Sequence, residues 1–437
     1  MSKIRFYNAK ILTMEEPVKV IEDGELWTDG KVIEYAGPKE DAPKDTPNDA
    51  PNDRPSFDRE IDCKGNLLMP GFKNAHTHSA MTLMRSLADD LPLQEWLENQ
   101  IFPVEAKMEY DDIYDLTKLA VLEYLTSGIT AAMDMYLDPY AIQRSFTDCG
   151  FRNVQVSGIN KFGPSLEELE NRFNKLNGVN DLSSFMLGFH AEYTCERELL
   201  EKLSELSHKY KAPVFTHTSE TKREVDECIE RYGKSPTKLF EELGLHDFGG
   251  GGYHCVWFDD EDIEIYKKRG LYVVTNPASN LKLASGIAPI SKFLKASIPI
   301  AIGTDGPASN NCLDFFREMF LVTGLAKVND KDASSCDAIE VLKMATVNGA
   351  KAMGLNDCVT LSKGQKADLI MIDLNMPNMQ PLHNIPKNIV YAGSKINVRM
   401  TMINGKILYE DGRFDIGVTP DELYDKANDI AKRLGLK

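Results

Sequence analysis

Leu67-Leu68-Met69-Pro70-Gly71-Phe72-Lys73-Asn74-Ala75-His76-Thr77-His78 is an apolar run that closes on two histidines. Read as a strand, it points His76 and His78 to the same side, because residues i and i+2 share a face. Two imidazoles at one strand end can hold a metal ion. A solvated turn with two polar residues is the competing reading of a lone His-x-His. Pro70-Gly71 defines where the strand starts. Further His, Glu and Asp residues stand at apolar strand ends later in the chain, which favours the metal reading.

On the N-terminal side, residues 1–67 read as strands and turns. Ile4–Leu12 is rich in strand formers, and Asp29-Gly30 between two such runs is a hairpin signal. The stretch 40–55, dense in Pro, Asp and Asn, cannot bury apolar surface and is expected to be an exposed loop.

On the C-terminal side the pattern changes. Apolar strands are predicted at Ile129–Met135, Arg152–Gly158, Phe185–His190, Pro213–His217, Gly252–Val256, Tyr272–Thr275 and Pro299–Gly303. Amphipathic segments, such as Ser165–Leu176, Glu196–Tyr210, Lys222–Tyr232 and Cys312–Ala326, lie between them. Alternation of this kind implies a parallel sheet with helices outside. About eight strands suit a (β/α)8 TIM-type barrel, with its active site at the C-terminal strand ends. An open doubly wound sheet is the alternative, but no Gly-x-Gly-x-x-Gly follows the first strand.

Strand signals return at Ala367–Ile372, Ile389–Ala392 and Val398–Tyr409, with Asn404-Gly405 as a hairpin turn. The expected organisation is a barrel over 68–355 and a small β-sandwich domain built from both chain ends, 1–67 and 356–418. A helix follows over 419–437, opened by Thr419-Pro420.

Composition bounds the function. The net charge of −17 argues against a nucleic-acid backbone as partner, though not against a neutral nucleoside. The 8 cysteines are scattered without a Cys-x-x-Cys pair, which suits reduced thiols in an intracellular enzyme. The first residues lack the apolar core of a signal peptide, and no apolar run is long enough for a membrane. The expected location is the cytoplasm.

Four more strand ends carry chemistry: Phe189-His190-Ala191, His217-Thr218-Ser219-Glu220, Gly252-Tyr253-His254-Cys255 and Gly303-Thr304-Asp305-Gly306. Each taken alone also reads as a core histidine or a capping carboxylate. A barrel would gather all of them on one rim. Apolar strands that end in such residues are a costly use of buried positions unless something pairs them.

With His76-Thr77-His78, His217-Thr218-Ser219-Glu220, Asn276–Leu283, Gly303–Asn311 and Gly364–Leu369 in view, the chain resembles the amidohydrolase superfamily. Within it, the chain is most similar to the 5-methylthioadenosine/S-adenosylhomocysteine deaminases, with triazine chlorohydrolases as relatives. The resemblance covers essentially the whole chain. It implies that His76, His78, His217 and Asp305 ligate one divalent ion, with Zn2+ first and Fe2+, Mn2+ or Ni2+ also compatible. Two-metal relatives carry a lysine at the end of the fourth strand, but Leu187-Gly188-Phe189-His190 has none. Asp305 would take the proton of the attacking water, Glu220 would protonate a ring nitrogen, and His254 would hydrogen-bond the water and the tetrahedral centre. The bland reading of Glu220 is a carboxylate at a helix N-terminus.

By the same resemblance, Trp96 would pack on the 5′ substituent, Glu105 would bind the ribose hydroxyls and His190 would donate to the purine. Leu91–Glu105 also reads as an ordinary surface helix anchored by Trp96. The expected activity is hydrolytic deamination of 5′-methylthioadenosine, adenosine or S-adenosylhomocysteine. Removal of an amino group or halide from a triazine, guanine or pterin is the alternative, and a non-catalytic barrel scaffold is the remote one. Besides the nucleoside, the expected partners are further copies of the chain in a homo-oligomer, with no nucleic acid and no membrane. Relatives that take S-adenosylhomocysteine resemble one another in placing arginines after the third strand. Here Val156–Ser165 holds only Lys161 as a cation, so neutral 5′ groups are the expected preference.

Overall fold

The structure, a computed structural model, describes residues 2–43 and 56–436. Most of the Pro/Asp/Asn-rich stretch expected as an exposed loop lies outside the described residues.

Eight parallel strands form one sheet in sequence order: Phe72–Thr77, Ile129–Asp134, Arg152–Val156, Ser183–Ala191, Val214–Thr218, Gly250–His254, Tyr272–Thr275 and Ile300–Ile302. The last strand returns to the first through polar bonds. Thr304 and Asp305 N–H groups donate to His76 O at 3.1 and 3.0 Å. The Asn74 side chain donates to Thr304 Oγ1 at 2.7 Å and accepts the Thr304 N–H at 2.9 Å. The sheet is therefore a near-closed barrel, with helices between successive strands as the alternation predicted.

The second sheet is mixed and nine-stranded, and both chain ends build it. Leu67–Pro70 is the seam. It runs parallel to Lys3–Leu12 on one side and antiparallel to Leu369–Ile372 on the other. The single apolar strand predicted from Leu67 to His78 is thus two strands in two sheets, and residues 68–70 lie in the mixed sheet rather than the barrel. The break falls at Gly71, where an added Cβ would stand 2.1 Å from Thr130 Cγ2. Only glycine lets the backbone cross between sheets this close to a neighbour. Uninterrupted hydrophobicity hid the break, because both strands are buried on both faces. The Asn404-Gly405 hairpin forms as expected, with both residues at positive φ, 52° and 78°. The other hairpin turns at Gly30-Lys31, one residue later than the Asp29-Gly30 signal suggested.

At the bottom of the barrel lies a buried polar cluster. Lys73 Nζ donates to Gly71 O at 2.9 Å and to Thr130 Oγ1 at 2.8 Å. Beside it, Arg152 grips Asp368 through Nε and Nη2 at 2.6 and 3.0 Å. Arg152 Nη1 donates to Asp181 O at 2.7 Å, and the Asn404 N–H donates to Asp368 at 2.7 Å. This knot ties the barrel to the mixed sheet.

The last helix, Pro420–Arg433, is capped by Thr419 as predicted. It lies along the helix Tyr110–Thr126, with Lys426 Nζ 2.7 Å from Asp115. No helix among the described residues is long and apolar enough to cross a membrane.

Candidate active site

His76 is the penultimate residue of the first barrel strand and His78 follows its end, two residues on, as strand alternation requires. His217 stands near the end of Val214–Thr218, His254 ends Gly250–His254, and Asp305 follows Ile300–Ile302. Parallel strands of one barrel bring these ends together. Close approach helps: a Cβ on Gly303 would meet the His76 backbone nitrogen at 2.9 Å, so glycine there lets the last strand draw against the first.

Backbone and side-chain partners set the ring tautomers. His217 Nδ1 pairs with His190 O at 2.7 Å, and His78 Nδ1 pairs with Met135 O. Carbonyls only accept, so these Nδ1 atoms carry the protons and the Nε2 atoms present lone pairs. His254 Nδ1 is fixed in the same way by Asn280 Oδ1 at 2.7 Å. His76 Nε2 and His217 Nε2 face each other at 3.1 Å. Asp305 Oδ1 lies 3.4 Å from His76 Nε2 and 3.1 Å from His78 Nε2. Its Oδ2 is turned away and accepts from Ser279 at 2.6 Å and Ser309 at 2.8 Å.

Donor atoms of His76, His217, His254 and Asp305 form one group, all within 4.8 Å of one another. His78 joins it through Asp305. Three imidazole nitrogens and a carboxylate oxygen aimed at one point, with no cationic side chain among them, fit a divalent ion of zinc type. The charge state agrees. Burial pushes His76 down to about 3, so it is neutral at pH 7. Burial works against Asp305, yet its bonds to His76 and His78 hold the carboxyl well below the ordinary range. Around His78 the same carboxylate outweighs burial and raises the ring to about 8, so an ion at this site has to displace a proton from His78 Nε2 before that ring can ligate it.

Glu220 lies three residues beyond His217 and is 6% exposed. Its Oε2 is 3.8 Å from His254 Nε2, and its Oε1 accepts from Ser285 at 3.2 Å. Burial pushes its carboxyl up. A cavity of about 200 Å³ opens over this group, walled by Glu220, His254, Trp96, Glu105 and His190. Trp96 is part of a buried apolar cluster with Leu93, Ile101 and Val104. The expected helix around it is two short α turns joined by a π-helical turn, Leu97–Ile101, a form frequent at functional sites. Glu105 sits beside the Tyr136 hydroxyl, and burial pushes it up to about 7. His190 pairs with Thr194 through Nδ1 at 3.1 Å, which leaves Nε2 for a ligand, and burial pushes the ring down to about 4.

The structure thus gathers every sequence-predicted site residue at one mouth. It adds several that the sequence did not single out. Ser279 and Asn280 lie inside the Asn276–Leu283 motif, whose individual roles were unassigned. Tyr136 and Tyr193 line the cavity. Arg172 does so too, from the helix Leu166–Leu176. The absence of arginine from Val156–Ser165 therefore does not keep arginine out of the site. Arg172 looked like the polar face of an amphipathic helix, paired through Nε with Glu168 at 2.9 Å.

Comparison with known proteins matches residues 67–408 to the amidohydrolase family. A 5-methylthioadenosine/S-adenosylhomocysteine deaminase of Desulforamulus reducens is 39% identical, over 94% of each chain. A 5′-deoxyadenosine deaminase of Methanosarcina acetivorans is 37% identical, over 99% of each. The crystal structure of a zinc-bound adenosine deaminase from Xanthomonas campestris superposes with a TM-score of 0.92 at 32% identity, covering 99% of both chains.

Proposed function

The chain belongs to the amidohydrolase family, and on that premise we propose that it hydrolytically deaminates an adenosine-type nucleoside to the inosine analogue and ammonia. It is a metal-dependent hydrolase. The observation that carries the reading is the convergence of imidazole lone pairs and Asp305 Oδ1 under a cavity, with Glu220 at its edge. The names of the two relatives and of the zinc-bound neighbour supply the substrate class.

We assign His76, His78, His217 and Asp305 as the ligands of one ion, with His78 brought in through Asp305 Oδ1 at 3.1 Å, and keep His254, the other imidazole of the group, for the attacking water. An ion held there supplies Lewis acidity, which brings the pKa of a coordinated water down to about 7. Asp305, beside the ion, would take the proton of the attacking water. His254, held by Asn280, offers Nε2 to the attacking water and orients it toward the purine carbon bearing the amino group. Glu220 carries a proton to the adjacent ring nitrogen. The proton held by Asp305 passes to the exocyclic nitrogen, the carbon–nitrogen bond breaks and ammonia leaves, while the added hydroxyl returns its proton to Glu220. Trp96 packs on the 5′ substituent, Glu105 accepts the ribose hydroxyls, and His190 pairs with the purine.

The test is ammonia release from adenosine, 5′-methylthioadenosine and S-adenosylhomocysteine, set against guanine, a pterin and a chlorotriazine. Nucleosides are expected to exceed the bare rings, because Glu105 needs vicinal hydroxyls to bind. A bare ring as best substrate would overturn the assignment.

A further inference from the structure

We propose that Glu224, a residue outside the cavity wall, is a positioning residue that aims Glu220 at the substrate. The inference rests on Glu220 as the proton carrier.

The strand Val214–Thr218 ends at Ser219, which is left-handed at φ 51°. That conformation is strained for a residue with a Cβ. It also turns two consecutive backbone N–H groups into one concavity, an arrangement that binds anions. The Glu224 carboxylate fills the concavity. Oε1 accepts from Ser219 N–H at 2.8 Å, and Oε2 accepts from Glu220 N–H at 2.8 Å. Glu224 is only 2% exposed. It stands in the first turn of the helix Lys222–Tyr232, where Thr221 Oγ1 accepts the Glu224 N–H at 3.2 Å. A glutamate three residues after a threonine cap ordinarily bonds back to the cap's own N–H. Here it reaches past the cap to the two residues before it.

The remaining tie on this peptide is the Trp257 N–H, which donates to Ser219 O at 2.9 Å. Burial pushes the Glu224 carboxyl up to about 7, and the two N–H groups oppose that shift. Its two bonds to one rigid helix turn hold Ser219 in its twist. The twist sets the direction in which Glu220 leaves the backbone. Glu224 itself touches neither the cavity nor the ion site, so its loss disorders the proton carrier alone.

The experiment compares purified Glu224→Gln, Glu220→Gln and the double variant by metal content and by steady-state deamination of 5′-methylthioadenosine. Glu224→Gln is expected to lower kcat by about 10- to 100-fold, with KM changed less than about twofold and metal per chain unchanged. In the Glu220→Gln background the same change is expected to lower kcat by less than about twofold, because its target is already gone. If Glu224→Gln does not fold, Glu224→Asp keeps the charge one methylene short, and the same loss confined to kcat is expected. A fully additive double variant, or a loss of metal in step with activity, overturns the inference. Near-normal kcat in Glu220→Gln alone removes the proton-carrier reading and this inference with it.

Discussion

Lys73 and His76 stand three residues apart on one strand, yet they belong to opposite kinds of buried polar cluster. Around Lys73, each charged group has found a protein partner. Its Nζ reaches Gly71 O and Thr130, and Arg152 and Asp368 pair through two bonds. Around His76 the groups oppose one another. Its Nε2 looks at His217 Nε2, and its Nδ1 has no hydrogen-bond partner among the described residues. Buried polar groups are expected to be satisfied. A cluster satisfied by protein alone holds the fold together, whereas converging lone pairs call for a cation. The difference separates architecture from chemistry in residues of equal burial and similar polarity.

The largest expected effect strikes the upper cluster. Dialysis against a strong chelator should lower deamination by about 10³-fold or more, equivalent to about 4 kcal/mol. Zinc should restore it. Elemental analysis of the native protein should find about one ion per chain. Two tightly held ions would break the mononuclear reading.

The lower cluster should respond in stability instead. Arg152→Met removes one partner of a buried pair, which typically costs about 3–5 kcal/mol. Its kcat/KM per folded molecule should stay within about twofold, because nothing in that knot faces the cavity. The pH dependence should change sign. In the parent chain burial opposes ionisation of Asp368, but Arg152 wins and depresses its pKa. That contribution is present above the unfolded value of about 4 and is lost as pH falls through the folded pKa. In Arg152→Met only the Lys73 charge and the Asn404 N–H still oppose burial, and the pKa is expected to rise. The variant's deficit should therefore widen between pH 4 and 7 in denaturant titrations. A deficit independent of pH would mean that Asp368 had found another cation.

Glu220→Gln should come next. A loss in kcat on the order of 10²-fold, about 2.7 kcal/mol, is expected with fold and metal retained. Near-normal turnover would move Glu220 from the chemical class of cluster to the architectural one.

The sorting was only partly open to sequence reading. His76, His78, His217 and Asp305 stood out because a polar residue closing an apolar strand is rare without a partner, while their assignment as ligands came from the family resemblance and is a proposal. Glu220 was legible by its spacing from His217. Glu224 was not, since Lys222-Arg223-Glu224-Val225-Asp226-Glu227 reads as a charged helix face. Its burial depends on how the following helix docks. The Gly71 break was hidden for a related reason: hydrophobicity reports burial but not which sheet does the burying. Arg172 shows the same limit from the other side. An amphipathic helix gives its polar face, but tertiary packing decides that one end of that face meets the cavity.

Arg172 is also the intermediate case, and it carries the smallest expected effect. It faces the cavity but is engaged by Glu168 through Nε. With its charge already answered, kcat/KM should favour 5′-methylthioadenosine or adenosine over S-adenosylhomocysteine by about tenfold, or 1.4 kcal/mol. Arg172→Met should leave that ratio within about twofold. Steady-state kinetics on the three nucleosides, with parent and variant side by side, is the check. A selective loss of S-adenosylhomocysteine turnover would place Arg172 among the groups that wait for a ligand.

The seam at Leu67–Pro70 has a consequence in time. Its antiparallel partner, Leu369–Ile372, lies about 300 residues further along the chain. A ribosome adding about 5–20 residues per second takes about 15–60 s to cover that distance. Throughout that interval Leu67–Pro70 can pair on one side only, and its other edge is open to whatever strand comes near. Crowded polysomes bring identical nascent chains into reach of one another. The mixed sheet therefore dates the most vulnerable period in the making of this protein. It begins when residue 70 clears the exit tunnel and closes when residue 372 arrives to cover it.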